Sequence, residues 1–213
     1  MRCRVKICGV TSVDDAMMAA DLGADAIGLN FYAKSPRCID DATALAILAV
    51  LPRTVQPIML AVNESWETTR LRWERLPGVQ AVQIHHAELT PCPHAAMAWI
   101  AAFAVQDASS VQAIDAFLDS CRTKGSMPEA ILVDAHVPGS FGGTGRVLPW
   151  PLLHDFRPGI PRILAGGLTP GNVADAVRSV RPDMVDVASG VESAPGRKDS
   201  DKIARFIAAV RNS

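Results

Sequence analysis

Lys6-Ile7-Cys8-Gly9-Val10-Thr11 carries a short apolar run onto a lone cysteine, and Ile131-Leu132-Val133-Asp134 ends another run, far downstream, on a lone carboxylate. A thiol and a carboxyl at matching ends of two strands can face each other across a barrel. There they could act as base and acid in moving protons on a small substrate. Cys8 alone is weak evidence, because free cysteines are commonly buried and inert. A charged neighbour strengthens it. Residues two apart on a strand share a face, so Lys6 lies on the side of Cys8, and a nearby ammonium favours thiolate over thiol. If that side faces the barrel interior, Lys6 is a buried cation that must be paired. Asp186, in Val185-Asp186-Val187, is the partner that barrel closure would bring beside it. The alternative is a Lys6 near the barrel bottom that snorkels to solvent.

Other strand ends are chemically rich as well. Asp134 could merely cap a turn, but the loop behind it, Pro138-Gly139-Ser140-Phe141-Gly142-Gly143-Thr144-Gly145, reads either as a lid or as a long surface excursion. Leu164-Ala165-Gly166-Gly167-Leu168 and Ala188-Ser189-Gly190-Val191-Glu192 follow the seventh and eighth strand candidates. In barrel enzymes those two loops commonly bind phosphate, since bare glycine backbone lets N–H groups approach an anion closely. Gly166, Gly167, Ser189 and Gly190 are therefore read as holding a phosphorylated small molecule. Arg37, after Lys34-Ser35-Pro36, offers a guanidinium fork for carboxylate or phosphate, or is simply solvated. His85 ends the fourth strand, where it either touches substrate or bonds within the protein. Without a ligand cluster around it, it is not read as a metal site.

These side chains need elements to position them. Apolar runs rich in β-branched residues alternate with stretches of helical period. The strand candidates are Arg4–Ile7, Asp25–Asn30, Val55–Val62, Val79–Ile84, Trp99–Val105, Ala130–Asp134, Arg162–Ala165 and Met184–Ala188. Helices are expected after Ser12, over Asp40–Leu51 and Glu64–Leu76, over Val111–Lys124 behind a Ser109 or Ser110 cap, over Gly171–Val180, and from Asp199 to Val210. Between His86 and Trp99, Pro91 and Pro93 leave room for at most a short, displaced helix. Strands alternating with helices imply a parallel sheet, and a single-domain (β/α)8 TIM barrel spanning residues 1–213 is the natural closure. An open doubly wound sheet is the runner-up. Its first turn would be expected to be glycine-rich, and Cys8-Gly9-Val10-Thr11 offers one glycine.

Composition narrows the function class. Twenty-one Lys and Arg against 22 Asp and Glu leave a formal net charge of −1, no electrostatic footprint for nucleic acid or an anionic membrane. The longest uninterrupted apolar run, Ala95 to Val105, falls well short of the ~20 residues of a membrane-spanning helix. The N-terminus enters a strand pattern without an apolar leader. Five scattered cysteines with no CxxC pair argue against a disulfide framework or a zinc site. The expectation is a cytoplasmic protein with reduced thiols, with a monomer favoured.

One family's motifs run through the chain in order. They are Lys6–Thr11 (KICGVT), Gly23–Arg37 (GADAIGLNFYAKSPR), Val82–His85 (VQIH), Ile131–Asp134 (ILVD), Gly142–Arg146 (GGTGR), Leu164–Asn172 (LAGGLTPGN) and Val185–Asp199 (VDVASGVESAPGRKD). The chain resembles the phosphoribosylanthranilate isomerases of tryptophan biosynthesis along essentially its whole length. The resemblance implies an Amadori rearrangement of N-(5-phosphoribosyl)anthranilate, with Asp134 as general acid, Cys8 as general base, Arg37 on the anthranilate carboxylate and the glycine loops on the phosphate. It implies no metal and no cofactor. Ala33, His86 and Arg146 depart from the family pattern, where proline, glycine and lysine are usual. Two other readings are another phosphate-binding barrel enzyme, such as indole-glycerol-phosphate synthase or a histidine-pathway isomerase, and a catalytically dead barrel kept for protein interaction.

Overall fold

The β-branched and alanine-rich runs become eight parallel strands that close on themselves, β1 pairing with β8. The computed structural model describes residues 2–86, 89–134 and 150–213. The strands are β1 (Arg4–Cys8), β2 (Ala26–Asn30), β3 (Gln56–Val62), β4 (Ala81–His85), β5 (Trp99–Ala104), β6 (Ala130–Asp134), β7 (Arg162–Ala165) and β8 (Met184–Val187). Helices α1 (Val13–Asp21), α2 (Asp41–Val50), α3 (Trp66–Arg75), α4 (Ala108–Thr123), α5 (Trp150–His154), α6 (Val173–Val180) and α7 (Ser200–Arg211) lie between and after them. A 3-10 turn at Ser189–Val191 leads into a two-stranded ribbon of β9 (Glu192–Ala194) and β10 (Arg197–Lys198). The closed (β/α)8 barrel is the expected fold.

Each strand is buried on both faces, as parallel sheets require. Ala26, Ile58, Ala81, Ile100, Ala130, Leu132, Ile163 and Met184 fill the barrel interior. The alternate residues, among them Ile7, Ile27, Met59, Val82, Ile131, Leu164 and Val185, pack outward against the helices. Helix starts follow capping chemistry. Ser12 accepts from the Asp15 N–H at 3.1 Å, Asp40 from Thr43 at 2.8 Å and Asp199 from Lys202 at 2.9 Å.

One expectation is corrected, and one is met by its lower bound. Helix α4 starts at Ala108 rather than Val111, because the Asp107 carboxylate accepts the Ser110 N–H at 2.9 Å and outcompetes the serine hydroxyls as cap. Between β4 and β5 the described residues 89–98 form turns and bends with no helix. Pro91 and Pro93 withhold two backbone donors there. The glycine loop 138–145 and the GGTGR segment lie outside the described residues.

Candidate active site

Cys8 is the last residue of β1 and turns inward at the barrel mouth, 7% exposed. Its sulfur has space because its register partner on β2 is Gly28. A Cβ at position 28 would stand 2.9 Å from Cys8 Sγ and 3.1 Å from Leu60 Cδ1. Sequence reasoning missed this glycine, whose signal is a bare residue inside an otherwise apolar strand.

Lys6, two residues below Cys8, is fully buried, and its Nζ donates to Asp186 Oδ1 at 2.8 Å. The two residues are register partners across the closure of β1 on β8. Burial opposes the Lys6 charge, but Asp186 and, after it, Cys8 together offset it and hold the ammonium above its ordinary range. The solvated alternative for Lys6 does not occur. The expected downward pull of Lys6 on the Cys8 thiol is present, but it does not decide the balance. Burial, then Asp186, push the thiol above its ordinary 9.0, outweighing the pull of Lys6 and Lys198. The partner that neutralises Lys6 is itself an anion acting on the sulfur, so much of the ammonium's influence is cancelled.

Asp134 closes β6, half-buried, on the inner face it shares with Ala130 and Leu132. Its register partners are Ala104 on β5 and Ala165 on β7. Cys8 and Asp134 thus stand at the same end and on the same inner surface of the barrel. His85 ends β4 on that surface too, its Nε2 2.6 Å from the Gln83 side-chain amide nitrogen. Burial, then the charge of Lys6, push its imidazole down to about 4.

Arg37 lies across the end of β1. Gly9 there has φ +70, and a Cβ on it would meet Arg37 Cδ at 2.3 Å. The Arg37 fork is already engaged: Nε and Nη2 donate to Glu192 Oε1 and Oε2, both at 2.7 Å. Lys198 Nζ donates to the same carboxylate at 2.8 Å, to the Cys8 carbonyl at 2.6 Å and to the Ala188 carbonyl at 3.4 Å. Burial works against the Glu192 charge, yet Arg37 and Lys198 hold its carboxyl below the usual range. Glu192 and Lys198 did not stand out in the sequence except as charges within the terminal motif.

Two glycine turns complete the mouth. After β7, Gly166 and Gly167 have φ of +97 and +63, and Asn172 braces the turn by accepting from Thr169 N–H at 2.8 Å and donating to the Gly167 carbonyl at 3.0 Å. After β8, Ser189 and Gly190 begin the 3-10 turn. A Cβ on Gly190 would lie 1.9 Å from the Leu168 carbonyl oxygen, so the two turns touch backbone to backbone. Among the described residues no three His, Cys, Asp or Glu side chains group as metal ligands.

A family model described as N-(5'phosphoribosyl)anthranilate (PRA) isomerase matches residues 5–209. The N-(5'-phosphoribosyl)anthranilate isomerase of Thiobacillus denitrificans is 44% identical over 219 aligned residues, covering 100% of each chain. The fold is similar to that of phosphoribosyl anthranilate isomerase from Thermotoga maritima, with a TM-score of 0.86 and 34% identity over 99% of this chain and 100% of that one. A phosphoribosyl anthranilate isomerase solved in complex with reduced 1-(o-carboxyphenylamino)-1-deoxyribulose 5-phosphate matches with a TM-score of 0.82 at 34% identity, over 99% and 100% of the two chains. Matched along almost its whole length in both sequence and fold, this chain belongs to the phosphoribosylanthranilate isomerase family of tryptophan biosynthesis.

Proposed function

We propose that this isomerase rearranges N-(5-phosphoribosyl)anthranilate to 1-(2-carboxyphenylamino)-1-deoxyribulose 5-phosphate, with Asp134 as general acid and Cys8 as general base. The reading rests on one observation above all. Both groups end inward-facing strands at the mouth that also carries the two glycine turns. Asp134 protonates the furanose ring oxygen, and the C1–O bond opens to give a Schiff base. Cys8, as its thiolate, then takes the proton from C2, leaving an enolamine that tautomerises to the ketone. The protons given and taken balance, as an isomerisation requires. Arg37 grips the anthranilate carboxylate, His85 lines the mouth as a neutral imidazole, and the backbone of Gly166, Gly167, Ser189 and Gly190 receives the phosphate.

Cys8→Ala and Asp134→Asn should each lower turnover by at least ~100-fold, the usual contribution of a general acid or base, with little change in thermal unfolding. Neither variant should rescue a tryptophan auxotroph lacking the isomerase, whereas the parent chain should. Near-normal turnover by Cys8→Ala would remove the thiol from the mechanism.

A further inference from the structure

Glu192 and Lys198 take no part in the acid–base scheme, yet they are charges buried at its rim, 6% and 4% exposed. Charges at that depth persist only when paired. The pairing here is lopsided, because one carboxylate serves two cations: Lys198 on Oε1, and Arg37 side-on across both oxygens. Lys198 Nζ has three acceptors within 3.4 Å, and three N–H donors are what the ammonium form supplies. The triad therefore carries one surplus positive charge.

Geometry says where that charge is offered. Glu192 occupies the Nε–H and one Nη2–H of Arg37, two of the five donors of a guanidinium. Among the described residues, both Nη1 protons and the second Nη2 proton remain unclaimed. Together they form the end-on fork, whose shape matches a second carboxylate. One arginine can thus hold a protein carboxylate on its side and a ligand carboxylate on its end.

The clamp is tied to the reacting strand. The remaining bonds of Lys198 go to the carbonyls of Cys8 and Ala188, at the ends of β1 and β8. The β9–β10 ribbon that carries Glu192 and Lys198 is docked on the neighbouring loops: Thr11 Oγ1 donates to the Gly196 carbonyl at 2.6 Å, and a Cβ on Gly196 would approach the Pro36 carbonyl oxygen to 2.8 Å. An arginine fixed in this way has already lost its rotamer freedom, so a ligand need not freeze it on binding.

Resting on the reading of Arg37 as the carboxylate grip, we infer that Glu192 is a positioning residue: clamped by Lys198, it aims the end-on fork of Arg37 at the aromatic carboxylate of the substrate and sets the affinity for that half of the molecule.

Glu192→Gln keeps the shape and removes the charge. Its KM should rise about tenfold with kcat changed by less than about threefold, the signature of lost uniform binding. Inhibition by anthranilate should weaken in parallel, while inhibition by inorganic phosphate stays within about twofold. In an Arg37→Ala background the same substitution should add almost nothing, because its route of action is gone. Glu192→Asp, which keeps the charge and shortens the reach, is read in the same way and serves if Glu192→Gln does not fold. Unchanged anthranilate inhibition in both Glu192 variants, where Arg37→Ala does weaken it, overturns the inference alone. So does a full additional loss in the Arg37→Ala background. Anthranilate inhibition that survives Arg37→Ala overturns the carboxylate reading, and the inference with it.

Discussion

Lys6 and Asp186 sit in a barrel interior that, apart from Gln83 and the residues at its mouth, is filled by alanine, isoleucine, leucine and methionine. Taking both ions out of water costs several kcal/mol each before their attraction is counted, so stability alone is a poor reason for the pair. Its place beneath Cys8 supplies another. Asp186 pushes the thiol up and Lys6 pulls it down, so each partner sets the thiolate fraction in an opposite sense. The free protein should therefore hold Cys8 as a thiol at neutral pH, with a stronger base available once the proton is lost. Iodoacetamide labelling of the Cys8 peptide, followed by mass spectrometry from pH 7 to 11, should titrate above the ordinary 9.0. Asp186→Asn leaves the ammonium beside the sulfur uncompensated and should lower that midpoint, while Lys6→Met should raise it. A parent profile below 9.0, or two variants shifting the same way, would show that the pair does not govern the thiol.

The turns after β7 and β8 act as one element, since Gly190 packs on the Leu168 carbonyl and Asn172 braces the strand-seven turn from inside. Gly190→Ala places a methyl 1.9 Å from a carbonyl oxygen with no flexible side chain to yield, so the turns must separate. Inhibition by inorganic phosphate should weaken about tenfold or more, because backbone N–H groups grip an anion only when they converge. Equal phosphate inhibition in parent and variant would place the anion elsewhere. These turns were legible in the sequence because glycine pairs after strands of a barrel have a known geometric meaning. The strands were legible for a similar reason: Ala130–Asp134 and Arg162–Ala165 run as read, and the other bounds move by a residue or two. The Asp107 cap was missed because serines at 109 and 110 offer the same local signal, and only geometry decides which oxygen reaches the free N–H. Glu192 and Lys198 were missed for a different reason. Their meaning lies in contacts to Arg37 and Cys8, 155 and 190 residues away in sequence, and no local pattern encodes such pairings.

At the scale of the whole barrel, closure has an energetic consequence that His85 makes measurable. The imidazole ends β4 inside the mouth, where burial and the charge of Lys6 across the interior depress its pKa to about 4 from 6.5. An unfolded chain accepts that proton as pH falls through 6.5, whereas the fold refuses it until about 4. In that window the unfolded state binds more protons, so stability rises with pH and levels off above the unfolded value. The difference in pKa corresponds to about 3 kcal/mol at most, from 1.36 kcal/mol per unit. Stability measured by denaturant unfolding should therefore fall between pH 6.5 and 4 more steeply in the parent than in His85→Asn, which carries no titrating ring. Carboxylates that also take up protons as pH falls act alike in both proteins, so the difference between the two curves isolates the histidine. The sign is the decisive part. Parallel curves would mean that His85 is solvated as freely in the fold as in the unfolded chain, and a shallower parent curve would mean that the barrel mouth welcomes an imidazolium, leaving Asp186 rather than Lys6 as the charge that His85 feels.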